Sequence, residues 1–206
     1  METGRLEAFS DGVFAIAITL LVLDVTVHAP GGHDLAHALL RAWPSYVGYA
    51  ISFLTIGIIW VNHHACFRHI ARVDRVLLFL NVLFLLFVAF IPFPTRLLAE
   101  YVRTPGGTAA AVVYGLTLTS TAICFNALWQ YAARGDRLLR TDADRREVTG
   151  ITRSFWPGTL VYAAATGVAF ASAWASAALY AGIAAFYVIS SSFFGAEPGS
   201  GAGDAV

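Results

Sequence analysis

The apolar positions of this chain come in long unbroken blocks, not in the short alternations of a water-soluble domain. A bilayer crossing needs about 20 mostly apolar residues at about 1.5 Å rise each. Six blocks reach that length: 6–27, 44–66, 76–98, 109–133, 154–173 and 176–195. The last two form one uncharged run between Arg153 and Glu197, with a turn expected around Ser172 to Ser176. The pattern predicts an all-α integral membrane protein with six transmembrane helices in one domain, 1–195. Residues 196–206, rich in Gly and Ala, read as a disordered tail.

Polar residues interrupt the blocks at few points, and the first block carries the most informative one. In "EAFSDGVFAIAITLLVLDVTV", residues 7–27, Asp11 sits in the first third and Asp24 near the far end. An Asp at mid-helix costs about 2.5–3.5 kcal/mol on insertion scales, so it needs a partner or a job. At about 100° per residue, with Ile16 as zero, Leu20, Leu23 and Val27 fall at about +40°, −20° and +20°. Phe9 returns to that narrow stripe at about +20°, and Thr19 and Asp24 flank it at about −60° and +80°. Asp11 falls on the opposite side at about −140°, which predicts that it is buried against neighbouring helices.

Depth suggests which groups meet it. The second block returns inward through "WVNHHACFRH", placing Trp60, Asn62, His63 and His64 at the level of Asp11. Asn81 and Asn126 come from the third and fourth blocks at a similar depth. Buried polar groups need hydrogen-bond partners, so the plain expectation is an interhelical clamp. A proton relay or a metal site is the sharper alternative, since a carboxylate with His serves either, and His adds possible pH sensing.

Composition excludes several classes. Of 206 residues, 58% are hydrophobic and 13% charged, which is far too apolar for a soluble domain. The zero net charge argues against a nucleic-acid partner. All 13 basic residues are Arg. With six crossings and an inside N-terminus, Arg5, Arg68, Arg72, Arg75, Arg134, Arg137, Arg140, Arg145, Arg146 and Arg153 fall inside, against Arg41, Arg96 and Arg103 outside. That positive-inside bias puts both termini in the cytoplasm. No basic leader or small-x-small cleavage site is visible, so no cleaved signal peptide is expected.

The remaining features are weaker. Cys66 and Cys124 read as inert core thiols. The loop "RGDRLLRTDADRREVTGITR", 134–153, reads as a solvated connector forming a short helix hairpin. In the first external loop, beside His28, His33 and His37 stand at i, i+4 but lack a third ligand, so no metal is expected. Pro92 and Pro94 in "FIPFPTR" should kink or end the third helix. The small residues of 154–195 suit a closely packed scaffold.

"RLEAFSDGVFAIAITLLVLD" resembles the Arg-x-x-x-Phe-Ser-Asp signature opening the first helix of the transmembrane protein 175 potassium channels. The matching residues are Arg5, Phe9, Ser10 and Asp11. The likeness extends to Trp-x-Asn-His-His at 60–64 and to the Pro-Phe-Pro-Thr end of the third helix. It implies a bacterial plasma-membrane homotetramer with a leak-like pore, lined by four first helices and lacking a re-entrant selectivity loop. Potassium is the implied permeant ion, with no cofactor and no catalytic residue. Carried onto this chain, Ile16, Leu20 and Leu23 form the hydrophobic constriction and Thr19 contributes to potassium preference. Asp24 stands near the outer mouth, where it either concentrates cations or serves as a cap. Two rival readings remain: a proton-coupled transporter or proton-permeable channel using Asp11, His63 and His64, and an intramembrane metal-dependent enzyme using the same groups. Neither an inverted repeat nor a His-Glu-x-x-His motif supports them.

Overall fold

The structure, a computed structural model, describes residues 3–27 and 34–194. The described residues are helical apart from turns, short connections and one isolated bridge between Ile70 and Leu139. The helices are α1 (Thr3–Leu23), α2 (Leu35–Arg41), α3 (Trp43–Phe67), α4 (Arg75–Phe90), α5 (Pro92–Tyr101), α6 (Gly107–Ala133), α7 (Arg145–Val168) and α8 (Ala173–Phe194). Among the described residues, four stretches are long and apolar enough to cross a membrane by length and composition: Thr3–Leu23, Trp43–Phe67, Arg75–Tyr101 and Gly107–Asp136. α8 holds a shorter apolar stretch, Ala173–Ile189. α7 opens on charged residues that dilute its apolar half.

Local chemistry sets the helix ends. Asp74 caps α4 by accepting the Leu77 N–H at 2.8 Å, and Asp34 caps α2 through the His37 N–H at 3.2 Å. Pro92 has no N–H to offer the Val88 carbonyl, which takes that of Ile91 at 3.1 Å. The chain therefore breaks at Ile91 and restarts with Pro92 in the first turn of α5, so the third block is two helices reaching Tyr101. The tail 196–206 lies outside the described residues.

The 134–153 loop differs from the expected helix hairpin. Residues Arg134–Asp136 make one tight turn, in which Gly135 (φ 68°) and Asp136 (φ 55°) take left-handed backbone and stop the helix. Leu138 and Leu139 then bury themselves against the α3–α4 connection. The Arg140 N–H donates to the His69 carbonyl at 2.9 Å, and that of Ala71 to the Leu138 carbonyl at 2.8 Å. A hydrophobic pair inside a charged loop made extended pairing more favourable than a second helix. Asp144 then accepts the Arg146 N–H at 2.7 Å and starts α7 nine residues before the apolar block. The turn from α7 to α8 spans 169–172.

α6 is the central element, packed on α4, α5, α7 and α8, while α1 packs on α3, α4 and α5. Phe14, Ile56, Phe67, Leu77, Phe84, Leu128 and Trp129 make the fully buried core between these groups. Cys66 and Cys124 are both buried free thiols. The 68–74 and 138–140 segments meet at one end of the molecule. Asp24, Arg41, Arg96, Glu100 and Arg103 line a polar cleft elsewhere.

Candidate functional site

α1 divides into faces that its sequence explains. Leu6, Ser10, Phe14, Ala17 and Leu21 recur at helical spacing and are buried against α3, α4 and α5. On the Ile16 wheel these fall between about +80° and +160°. Val13 and Ile18 are partly buried beside that face, and most of the remaining circumference is open. Ile16 is 61% exposed, Leu23 71% and Leu20 41%, with Thr19 and Phe9 exposed beside them. The uncovered face is therefore an apolar column carrying one hydroxyl. Thr19 Oγ1 donates to the Ile16 carbonyl at 2.9 Å, so its only proton points back into the helix. Its lone pairs remain as acceptors, which suits a cation and not an anion.

Asp11 is not buried, contrary to the wheel's expectation. The packing face lies between the two directions compared, not opposite the Ile16 stripe, so Asp11 occupies the other shoulder and is exposed. It accepts one hydrogen bond, from Trp60 Nε1 at 2.8 Å, and Trp60 stacks on the exposed His64 with centroids 6.1 Å apart. Arg5 is exposed on the same helix and makes no ion pair among the described residues. A carboxylate, an indole N–H and an imidazole thus stand together on the outside of the single subunit.

The buried clamp is built on Ser10. His63 Nε2 donates to Asn81 Oδ1 at 2.9 Å, and Asn81 Nδ2 donates to Ser10 Oγ at 3.0 Å. Ser10 Oγ in turn donates to the Leu6 carbonyl at 2.8 Å. This chain joins α3, α4 and α1, and all three side chains are buried. The His63 ring is enclosed by Phe14, Phe67, Phe84 and Phe125. The chain ends on the Leu6 backbone carbonyl, and its bonds tie α3, α4 and α1 together as a clamp.

Two expected members stand elsewhere. Asn126 joins α6 to α7, its Nδ2 reaching the Phe155 carbonyl at 3.3 Å and Thr159 Oγ1 at 2.9 Å. Asn62 lines a cavity with Asn126 and does not bond the clamp. Asp24 is half-buried and shares its polar cleft with Arg96. His28 and His33 lie outside the described residues. His37 Nδ1 pairs with Asp34 at 2.7 Å on the surface, and no cluster of three or more His, Cys, Asp or Glu side chains placed to hold a metal occurs among the described residues.

A second hydroxyl cluster escaped the sequence reading. Ser52 bonds Thr95 at 2.8 Å and Tyr114 at 3.1 Å, tying α3, α5 and α6. The only signal was Thr95 at the end of the Pro-Phe-Pro-Thr motif, where it also donates to the Ile91 carbonyl at 2.8 Å.

Membrane-length apolar helices, an internal polar clamp and an open hydroxyl-bearing apolar face define an all-helical membrane protein. The family described as "Endosomal/lysosomal potassium channel TMEM175" matches residues 5–92, the part holding α1, α3 and α4. A Streptomyces collinus potassium channel is 50% identical over 190 residues, covering 90% of this chain and 91% of that protein. A Chamaesiphon minutus potassium channel is 46% identical over 193 residues, covering 92% of this chain and 95% of its own. The crystal structure of a lysosomal potassium-selective channel TMEM175 homolog from Chamaesiphon minutus superposes with a TM-score of 0.84 at 42% identity, covering 92% of this chain and 97% of that one. The chain belongs to the TMEM175 family, a family of channels and not of enzymes.

Proposed function

We propose that this protein is the subunit of a potassium-permeable, leak-like channel, a multi-pass homotetramer in the bacterial plasma membrane. Each subunit crosses six times, counting α4 and α5 as one span, with both termini cytoplasmic. Four copies of α1 line the pore. The observation that supports this reading best is the open α1 face, where Ile16, Leu20 and Leu23 are exposed in a helix otherwise anchored on three neighbours. Relatives named as potassium channels over nine-tenths of the chain supply the ion.

The residues then divide the work. An apolar ring of Ile16, supported by Leu20 and Leu23, expels water from a narrow pore and resists ion flow. Four Thr19 oxygens at one level replace part of the hydration shell of a dehydrating cation. Asp24 stands at the outer end of α1, beside the cleft containing Arg96. Purified protein in a planar bilayer, with potassium and sodium salts on opposite sides, tests this. A reversal potential favouring potassium is expected; absence of current, or a current carried only by protons, would overturn it.

A further inference from the structure

One feature left unexplained lies away from α1. A cavity of about 120 Å³, open to the outside of the subunit, lies between α3, α4, α6, α7 and α8. Most of its wall is apolar, with Ile58, Phe84, Leu118, Phe125 and Phe155 prominent. Polar groups also reach it from three helices. Asn62 of α3, Tyr162 of α7 and Tyr187 of α8 all line it, and none has a side-chain hydrogen bond among the described residues. Asn126 uses its Nδ2 on α6 and α7, and its carboxamide oxygen accepts no bond among the described residues.

These two chemistries constrain the occupant. Polar groups inside a membrane protein need partners, because an unmet one costs about 1–3 kcal/mol. Water satisfies the amides and hydroxyls but not the aromatic walls, and a wholly apolar cavity of about 150 Å³ stays dry and takes benzene. We propose that this cavity binds a small uncharged aromatic molecule carrying a hydroxyl, of the phenol class, with the ring against the phenylalanines and the hydroxyl toward Asn62, Tyr162 and Tyr187. Asn62 belongs to the α3 motif yet takes no part in the Ser10 clamp. Its place is explained by this cavity. Tyr187 is positioned by α7: a Cβ at Gly158 would stand 3.2 Å from its hydroxyl, so glycine leaves that oxygen room at the cavity edge.

The test uses the full chain in lipid nanodiscs, with 4-fluorophenol and fluorobenzene as probes and fluorine NMR as the readout. A saturable bound 4-fluorophenol signal is expected, with fluorobenzene at least about fivefold weaker, the discrimination one hydrogen bond supplies. Ala122→Leu, which fills the cavity from α6, should abolish the signal. Tyr187→Phe and Asn62→Leu keep most of the volume, so they should retain binding and narrow the ratio between the probes. No saturable site in the unaltered protein, a site that survives Ala122→Leu, or equal affinity for the two probes would overturn the proposal. So would an unchanged ratio in both volume-preserving variants.

Discussion

Ile16 and Thr19 are neighbours on one helix face, but they are assigned opposite duties, and two substitutions separate them. Ile16→Asn replaces an apolar ring with one that holds water, so single-channel current should rise several-fold. Thr19→Val keeps the side-chain shape and removes the hydroxyl, so the potassium-to-sodium permeability ratio should fall toward unity in bi-ionic recordings. If Ile16→Asn leaves current unchanged, the constriction lies elsewhere. A different outcome is expected at Asn81. It is fully buried and bonds both His63 and Ser10, so Asn81→Leu strands the His63 N–H at about 1–3 kcal/mol and leaves Ser10 only its bond to the Leu6 carbonyl. Its thermal unfolding midpoint should drop by several degrees, with little change in the ion selectivity of what survives. The face containing Ile16, Thr19, Leu20 and Leu23 was legible because helical geometry alone lines them up. The direction of burial was not. Whether Asp11 or Ser10 turns inward depends on which arc of α1 meets α3 and α4, and hydrophobicity is nearly the same all round this helix.

At the scale of elements, hydropathy located the long helices because lipid demands continuous apolar length. It could not see how they end, since ends are set by single groups such as Asp74, Pro92, Gly135 and Asp144. Nor could it see close approaches between helices. Gly115 of α6 shows why one position there must stay small. A Cβ at that point would overlap the hydroxyls of both Tyr180 and Thr166, which are themselves bonded at 3.2 Å. Gly115→Ala should therefore force α8 and α7 off α6, at the cost of about 1–3 kcal/mol typical of overpacking. Gly167→Ala is the control, because its Cβ would meet nothing within 4 Å. Comparing the two variants by thermal unfolding in the same detergent checks this. Equal stability would mean that the α6–α7–α8 contact is loose.

The whole molecule is tied at one end by a polar knot. Asp74 caps α4, accepts the Tyr131 hydroxyl of α6 at 2.6 Å, and lies 3.5 Å from the Arg137 guanidinium. The Leu77 N–H, the Tyr131 hydroxyl and Arg137 together hold its carboxyl below the ordinary value of 3.8. A carboxyl whose pKa is lowered on folding contributes stability above its unfolded value and loses it as the pH falls through the folded one. Asp74→Asn should thus be less stable than the unaltered protein at neutral pH. The gap should close as the pH drops below about 4. A gap that persists in acid would mean that Asp74 acts through cap geometry and not through charge.

The proposed assembly rests on what a single subunit leaves uncovered. Asp11 stands on its outside, on the shoulder of α1 away from the Ile16 face, beside Trp60 and His64 of α3. A charged group on a membrane helix that faces lipid costs up to about 2.5–3.5 kcal/mol on insertion scales, and one hydrogen bond from Trp60 does not remove that cost. A water-filled path along Ile16 also needs more than one helix to enclose it, and closed rings of identical subunits are the common solution. Both demands are met if α1 presents one shoulder to the pore and the other to the next subunit. Native mass measurement in mild detergent should give four copies per particle. Asp11→Ala should shift that distribution toward smaller species more strongly than it alters the reversal potential of the remaining tetramers. A stable Asp11→Ala tetramer with changed selectivity would place Asp11 on the ion path and rotate α1 away from the assignment of Ile16. A single subunit that conducts by itself would remove the shared pore altogether.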